Sequence, residues 1–161
     1  MELRQHQVDV SLVYTPIREN TLSTYSLYEE AFLVALPESH ALAKQKRVTL
    51  RSLANESFIL YPRLLAPSLY NEFLQCCAQA GFAPNIVREG EMTDTRLGLV
   101  AAGVGVAFII AGLQNLRLKG VVYRPLGDDF PKLKLALAWR KGESSPLVHE
   151  FLKITKAIAT L

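Results

Sequence analysis

Cysteine is nearly missing from this chain: there are two, Cys76 and Cys77, and they are adjacent. Neighbours on a helix point about 100° apart and do not readily bridge. Two thiols alone cannot complete a tetrahedral zinc site either, so they read as small core residues. Histidine is as scarce. His6, His40 and His149 lie far apart, and none stands in an H-x-x-x-H spacing, so no metal site is expected. No apolar run approaches the roughly 20 residues that a membrane-spanning helix needs. The opening Met1 to Gln7 is polar and carries no signal-peptide core, which leads us to expect a cytoplasmic protein. No G-x-S-x-G elbow and no G-x-x-x-x-G-K-[ST] phosphate loop occurs. Gly98, Gly103 and Gly105 do not form a dinucleotide fingerprint, because Gly103 and Gly105 straddle a helix-to-strand joint rather than a strand-to-helix one. Glu29 and Glu30 are neighbours on an extended segment, face opposite sides, and cannot act as a carboxylate dyad. Neither an enzyme nor a cofactor is expected.

What is present is an ordinary globular composition. In 161 residues, half are hydrophobic and a fifth charged, which excludes disorder and suits one domain or two small lobes. A net charge of +3 suits anionic small molecules but is too weak to argue for nucleic acid. The basic stretch Lys44, Lys46, Arg47 and Arg51 has no interleaved aromatics and reads as a solvated loop.

Strands and helices alternate. Val8 to Tyr14 is β-rich, and Ala31 to Leu36 is continuously apolar, as in a strand covered on both faces. Phe58 to Tyr61, Asn85 to Arg88, Val106 to Ile110, Val121 to Tyr123 and Leu133 to Trp139 are further strands. Ser68 is expected to cap a helix that runs to Ala80, buries Leu69, Phe73, Cys76 and Cys77, and stops at Gly81. A second helix starts at Thr93 or Asp94, buries Leu97, Val100 and Ala101, and stops at Gly103. The last has Ser145 as cap and Pro146 in its first turn, with Leu147, Phe151, Ile154, Ile158 and Leu161 as one stripe widened by Val148 and Leu152. This alternation predicts an α/β sheet with crossover connections.

One constellation suits binding. The strand Phe58 to Tyr61 ends in Pro62-Arg63, and a helix opens soon after. Ligand crevices of open α/β sheets lie beyond the carboxyl ends of strands, where helix N–H groups and a guanidinium favour an anion. Arg63 and Ser68 can therefore converge on an anionic ligand. A surface arginine and a routine helix cap explain them equally well.

Several stretches taken in order resemble the effector-binding domain of LysR-type transcriptional regulators. They are Val8 to Val13, Leu27 to Pro37 with Ser39 to Ala43, Val48 to Leu53 followed by Phe58-Ile59, Cys77 to Pro84, and Leu99 to Val106. The last two read C-A-Q-A-G-F-A-P and L-V-A-A-G-V-G-V. The resemblance implies a type 2 periplasmic-binding-protein-like fold. Two α/β lobes would be joined by two crossover segments, with a small effector, carboxylate or another anion, in the cleft. Residues 1–30 and 125–161 would form an incomplete first lobe and 31–124 the second. The family's cleft contacts, carried over by position, are Thr15, Tyr61, Pro62, Arg63, Ser68, Met92 and Thr93. Arg63 would be the charge partner, with Thr15, Ser68 and Thr93 as hydrogen-bond donors and Tyr61 as an apolar wall. Where the family usually carries a proline after "G-l-G-v-x-l-l", this chain has Ile109-Ile110.

The resemblance implies control of transcription by a ligand-sensing domain, with DNA met only through a helix-turn-helix domain that none of these residues supplies. A solute-binding protein for transport is the alternative on the same fold. An open sheet edge and bare apolar surface are expected on the first lobe, and with them a homo-oligomer.

Overall fold

The fold comes from a computed structural model that describes residues 2–15, 17, 19–127 and 130–159. Its strands are β1 (Val10–Thr15), β2 (Leu22–Glu30), β3 (Phe32–Pro37), β4 (Ser57–Leu60), β5 (Asn85–Glu89), β6 (Val106–Ile110), β7 (Val121–Pro125) and β8 (Leu133–Arg140). Its helices are α1 (Pro67–Gln79), α2 (Thr93–Ala101) and α3 (Pro146–Ala159). Two compact units result, Met1–Glu30 with Leu133–Leu161, and Ala31–Lys132. The α/β class follows the sequence expectation. The second division falls after Lys132 rather than after Arg124. The intervening residues are tied to the larger unit: Leu126 bridges Val48, the Gly127 N–H donates to the Val48 carbonyl at 2.9 Å, and Phe130 packs on Phe108 at 5.0 Å.

The larger unit carries a five-stranded mixed sheet in the order β5-β4-β6-β3-β7. β4 runs parallel to β5 and β6, while β3 is antiparallel to β6 and β7. Because side chains alternate across a strand, the apolar runs feed two cores. Leu33, Ala35, Ile59, Ala107 and Ile109 pack beneath Leu97 and Val100 of α2. The opposite face is aromatic: Phe58 meets Phe73 of α1 at 5.5 Å, and Phe73 meets Phe108 at 5.3 Å. Each of these buried rings is worth about 1.5–3 kcal/mol relative to exposure.

Both helices over this sheet end as their glycines require. Gly81 and Gly103 adopt φ of 88° and 74°, and the following residues close the turns: the Phe82 N–H donates to the Cys77 carbonyl and the Val104 N–H to that of Leu99, each at 3.0 Å. The start of α1 corrects the sequence reading. Ser68 is not the cap; Ala66 is, with no side-chain bond, because Pro67 takes the first helical position, where its missing N–H costs nothing. The buried face of α1 is Tyr70, Phe73 and Cys77, with Leu69 and Cys76 only half-buried. On α2, Ala101 is exposed and Arg96 is buried in addition to Leu97 and Val100.

The smaller unit is a three-stranded antiparallel sheet, β1-β8-β2. β2 has no counterpart among the expected strands. Its polar Ser/Thr/Tyr composition and a register shift between Ser26 and Tyr28 hide the alternation. Arg140 ties the N-terminal segment down, donating to the carbonyls of Leu3 at 3.2 Å and Val8 at 2.9 Å and pairing with Asp9 and Glu143. α3 buries Val148 and Leu152 against Leu137, Val10, Leu27 and Trp139. The expected stripe faces outward instead: Leu147, Phe151, Ile154 and Ile158 are 83%, 51%, 52% and 65% exposed, and Leu161 lies outside the described residues. β1 is a sheet edge, with Leu12 and Tyr14 exposed.

Candidate functional site

The expected site residues fall in both units. Thr15 ends β1 of the smaller one, half-buried and paired with Lys134 of β8. The other six belong to the larger unit, in the turn after β4 and at the start of α2. β4 delivers Tyr61 and Pro62 at its carboxyl end. The Leu65 N–H donates to the Pro62 carbonyl at 3.0 Å, turning the chain toward α1.

Arg63 is exposed. Its guanidinium donates to Asn71 Oδ1 at 2.6 Å and lies 5.6 Å from the centre of the Tyr70 ring. Tyr70 meets Tyr61 edge-on at 6.2 Å, and its hydroxyl donates to Glu89 Oε1 at 3.4 Å. On the other side of Tyr61 stands a second guanidinium, that of Arg96, 5.8 Å from the ring centre. Two cations thus flank a pair of tyrosines. Ser68 is exposed in the first turn of α1, without the capping bond expected of it, and Met92 is 65% exposed ahead of α2. Thr93, half-buried, accepts a hydrogen bond from Arg96 at 3.0 Å.

Arg96 is the residue the sequence reading passed over. It closes the first turn of α2 beside the buried Leu97 and is only 8% exposed. Its stem lies against Gly90, where an added Cβ would come 2.9 Å from Arg96 Cγ. No carboxylate pairs with it among the described residues, and its Nε is enclosed without a partner. An enclosed donor without an acceptor costs about 1–3 kcal/mol. Burial accordingly lowers the Arg96 pKa from its ordinary value, opposed only by Tyr61. Burial also raises the Tyr61 phenol well above the tyrosine range, more than Arg96 lowers it, so the hydroxyl stays protonated and can donate. A signal for Arg96 existed: in T-D-T-R-L-G-L-V it stands four residues before Val100, on the face of α2 that is buried. Helical spacing alone gives it no direction, since the stem can snorkel outward.

Tyr61 also borders a small enclosed apolar cavity of about 10 Å³, walled by Phe32, Leu60, Phe73, Phe108 and Phe130 among others. The collected groups are cationic and hydrogen-bonding beside an aromatic wall, which suits holding an oxyanion. Among the described residues no set of His, Cys, Asp and Glu could hold a metal ion, and no helix is long and apolar enough to cross a membrane.

Comparison with known proteins decides the family. The family model described as the LysR substrate binding domain matches residues 1–159. The chain belongs to the LysR substrate-binding family. It is 30% identical to the HTH-type transcriptional regulator AlsR of Bacillus subtilis, over 99% of this chain and 53% of that protein. It is 31% identical to the Hca operon transcriptional activator HcaR of Escherichia coli, over 96% of this chain and 52% of that protein. The chain spans about half the length of these curated relatives. Among solved structures, it resembles the BenM effector-binding domain with its effector benzoate, with a TM-score of 0.84 and 25% identity over 99% of this chain and 72% of that one. The likeness to a BenM variant domain has a TM-score of 0.87. The two-lobe periplasmic-binding-protein-like fold read from the sequence is that of these domains. The relatives are transcriptional regulators, neither enzymes nor transport proteins, so the transport alternative is not favoured.

Proposed function

We propose that this chain is the sensing part of a LysR-type transcriptional regulator, acting in the cytoplasm without catalysis. A small anionic effector binds it, shifts the balance between its conformations, and so alters a DNA-binding partner region. The family match across residues 1–159 carries this reading. The turn after β4 and the start of α2 support it, because they gather Tyr61, Thr93 and two guanidinium groups, neither of them paired with a carboxylate among the described residues.

In this reading Arg63, exposed beside Pro62 and Ser68, attracts the anion from solvent, and Tyr61 provides an aromatic wall. Thr93 offers a hydroxyl, and Met92 an apolar contact. Thr15 is kept as a contact of the same effector on the strength of the family resemblance alone. DNA is met through a domain outside these residues, and the sensing part associates with a second copy of itself.

A thermal-shift screen against acetate, succinate, benzoate, phenylacetate, phosphate and sulfate tests the reading. A ligand at a hundred times its dissociation constant adds about 2.7 kcal/mol of stability. If no anion in the panel raises the melting temperature, the sensing reading falls.

A further inference from the structure

We propose that Arg96 is the anchor for the carboxylate of the effector, held in place by Thr93 and set over the Tyr61 ring, while Arg63 acts only at the rim. This inference rests on the sensing function proposed above and assigns the charge partner within it.

The argument starts from a mismatch. A guanidinium has five N–H donors and no acceptor, so inside a protein it is ordinarily matched by a carboxylate or several carbonyls. Arg96 has neither. One nitrogen donates to Thr93 Oγ1 at 3.0 Å, Nε is enclosed without a partner, and the guanidinium carbon lies 5.8 Å from the centre of the Tyr61 ring. Arg124 in the same unit shows the contrast: its nitrogens donate to the carbonyls of Tyr123 and Ala43, as a purely structural arginine would.

The Thr93 contact fixes where the charge sits. Thr93 is the first residue of α2, whose cap, Met92, makes no side-chain bond to the free N–H groups of the opening turn. The buried cation and the positive end of a nine-residue helix therefore meet at one place. Having accepted from Arg96, the Thr93 hydroxyl keeps its own proton to donate. Asp94 in the same turn is exposed, and it acts on Tyr123 rather than on Arg96. Arg63, by contrast, is exposed and already held by Asn71.

The recognised group is thus a carboxylate, bound by the planar fork of Arg96 with the Thr93 hydroxyl as third donor. Three consequences can be measured by calorimetry and thermal shift on the full chain. Wild type responds to a carboxylate of the panel but not to its neutral amide, for instance benzoate against benzamide. Arg96→Met weakens the responding carboxylate about ten- to hundred-fold, while Arg63→Ala changes it by only a few-fold. Gly90→Ala keeps the guanidinium but pushes its stem away, and it weakens binding in the same direction even if Arg96→Met does not fold.

The outcomes separate the two claims. No response of wild type to any anion defeats the sensing reading and this inference together. A carboxylate response that persists in folded Arg96→Met, or equal response to acid and amide, overturns the Arg96 assignment and leaves sensing intact. A response to phosphate or sulfate only does the same.

Discussion

Two glycine-to-alanine substitutions in one segment should shift stability in opposite directions, and their difference can be worked out in advance. Gly98 lies in α2, and a Cβ there would meet nothing within 4 Å. Alanine at that site removes backbone freedom from the unfolded chain and exposes no new strain. Gly98→Ala should therefore stabilise by about 0.5–1 kcal/mol. Gly105 sits where β6 begins beside β4, and its Cβ would come 2.3 Å from the Ser57 carbonyl oxygen. An ordinary carbon–oxygen contact is about 3.3 Å or longer, so roughly 1 Å of movement is required. That oxygen belongs to a backbone locked in a ladder, where Phe58 pairs with Val106, and it has no rotamer to escape into. Overpacking costs about 1–3 kcal/mol and the upper end applies. After about 0.4–1 kcal/mol is returned through the unfolded chain, Gly105→Ala should destabilise by about 2 kcal/mol.

The assay is urea unfolding followed by far-UV circular dichroism. With a denaturant slope of about 2 kcal/mol/M, the midpoints of the two variants should differ by about 1–1.5 M. Tryptophan fluorescence is a second, independent probe. The chain has one tryptophan, Trp139, in β8 of the smaller unit, whereas both glycines are in the larger. If fluorescence midpoints move with the dichroism, the units unfold together; if they stay fixed, each unfolds on its own. A Gly105→Ala midpoint at or above wild type, or a Gly98→Ala midpoint below it, would refute the steric reasoning.

Two further predictions concern the smaller unit. The N–H of Ser145, followed by Arg140, holds the Glu143 carboxyl below its ordinary value of 4.5. A depressed folded pKa gives stability that is present above the unfolded value and lost as pH falls through the folded one. Between about pH 7 and about pH 3 wild type should therefore lose more urea resistance than Glu143→Gln, and parallel losses would count against this role. The outward stripe Leu147, Phe151, Ile154 and Ile158, together with the β1 edge, should make the chain self-associate. Sedimentation at micromolar concentration should show an oligomer that Phe151→Lys shifts toward monomer, and a wild-type monomer would dismiss the idea.

Legibility in the sequence tracked how local the deciding interaction was. Ala31 to Leu36 reads as a doubly covered strand because all its side chains are apolar, and Phe32 to Leu36 are in fact buried. Gly81 and Gly103 mark helix ends through a backbone requirement that no neighbour can override. β2 escaped because its side chains are polar and its register is broken by a bulge, so only pairing with β8 makes it a strand. Ser68 was misplaced for a different reason: Pro67 competes for the helix start and wins by geometry. The face of α3 was misread because both Val148 and Leu147 belong to apolar stripes. Only the position of the sheet beneath selects Val148 and Leu152.

The candidate site divides along the same line. Tyr61, Pro62 and Arg63 are legible because a strand that ends in a proline places them at its carboxyl end, whatever surrounds it. Arg96 is not, because an arginine in a helix can reach solvent or lie flat beneath a neighbour, and the sequence spacing is identical in both cases. The choice was made by Gly90, which leaves room for the stem, and by Tyr61, which offers a ring for the guanidinium to lean on. Tyr61 is distant in sequence, Gly90 lies in the turn just ahead of the helix, and neither carries charge. A buried cation can therefore be assembled with no carboxylate paired to it among the described residues, and the acceptor we propose for it comes from outside the chain.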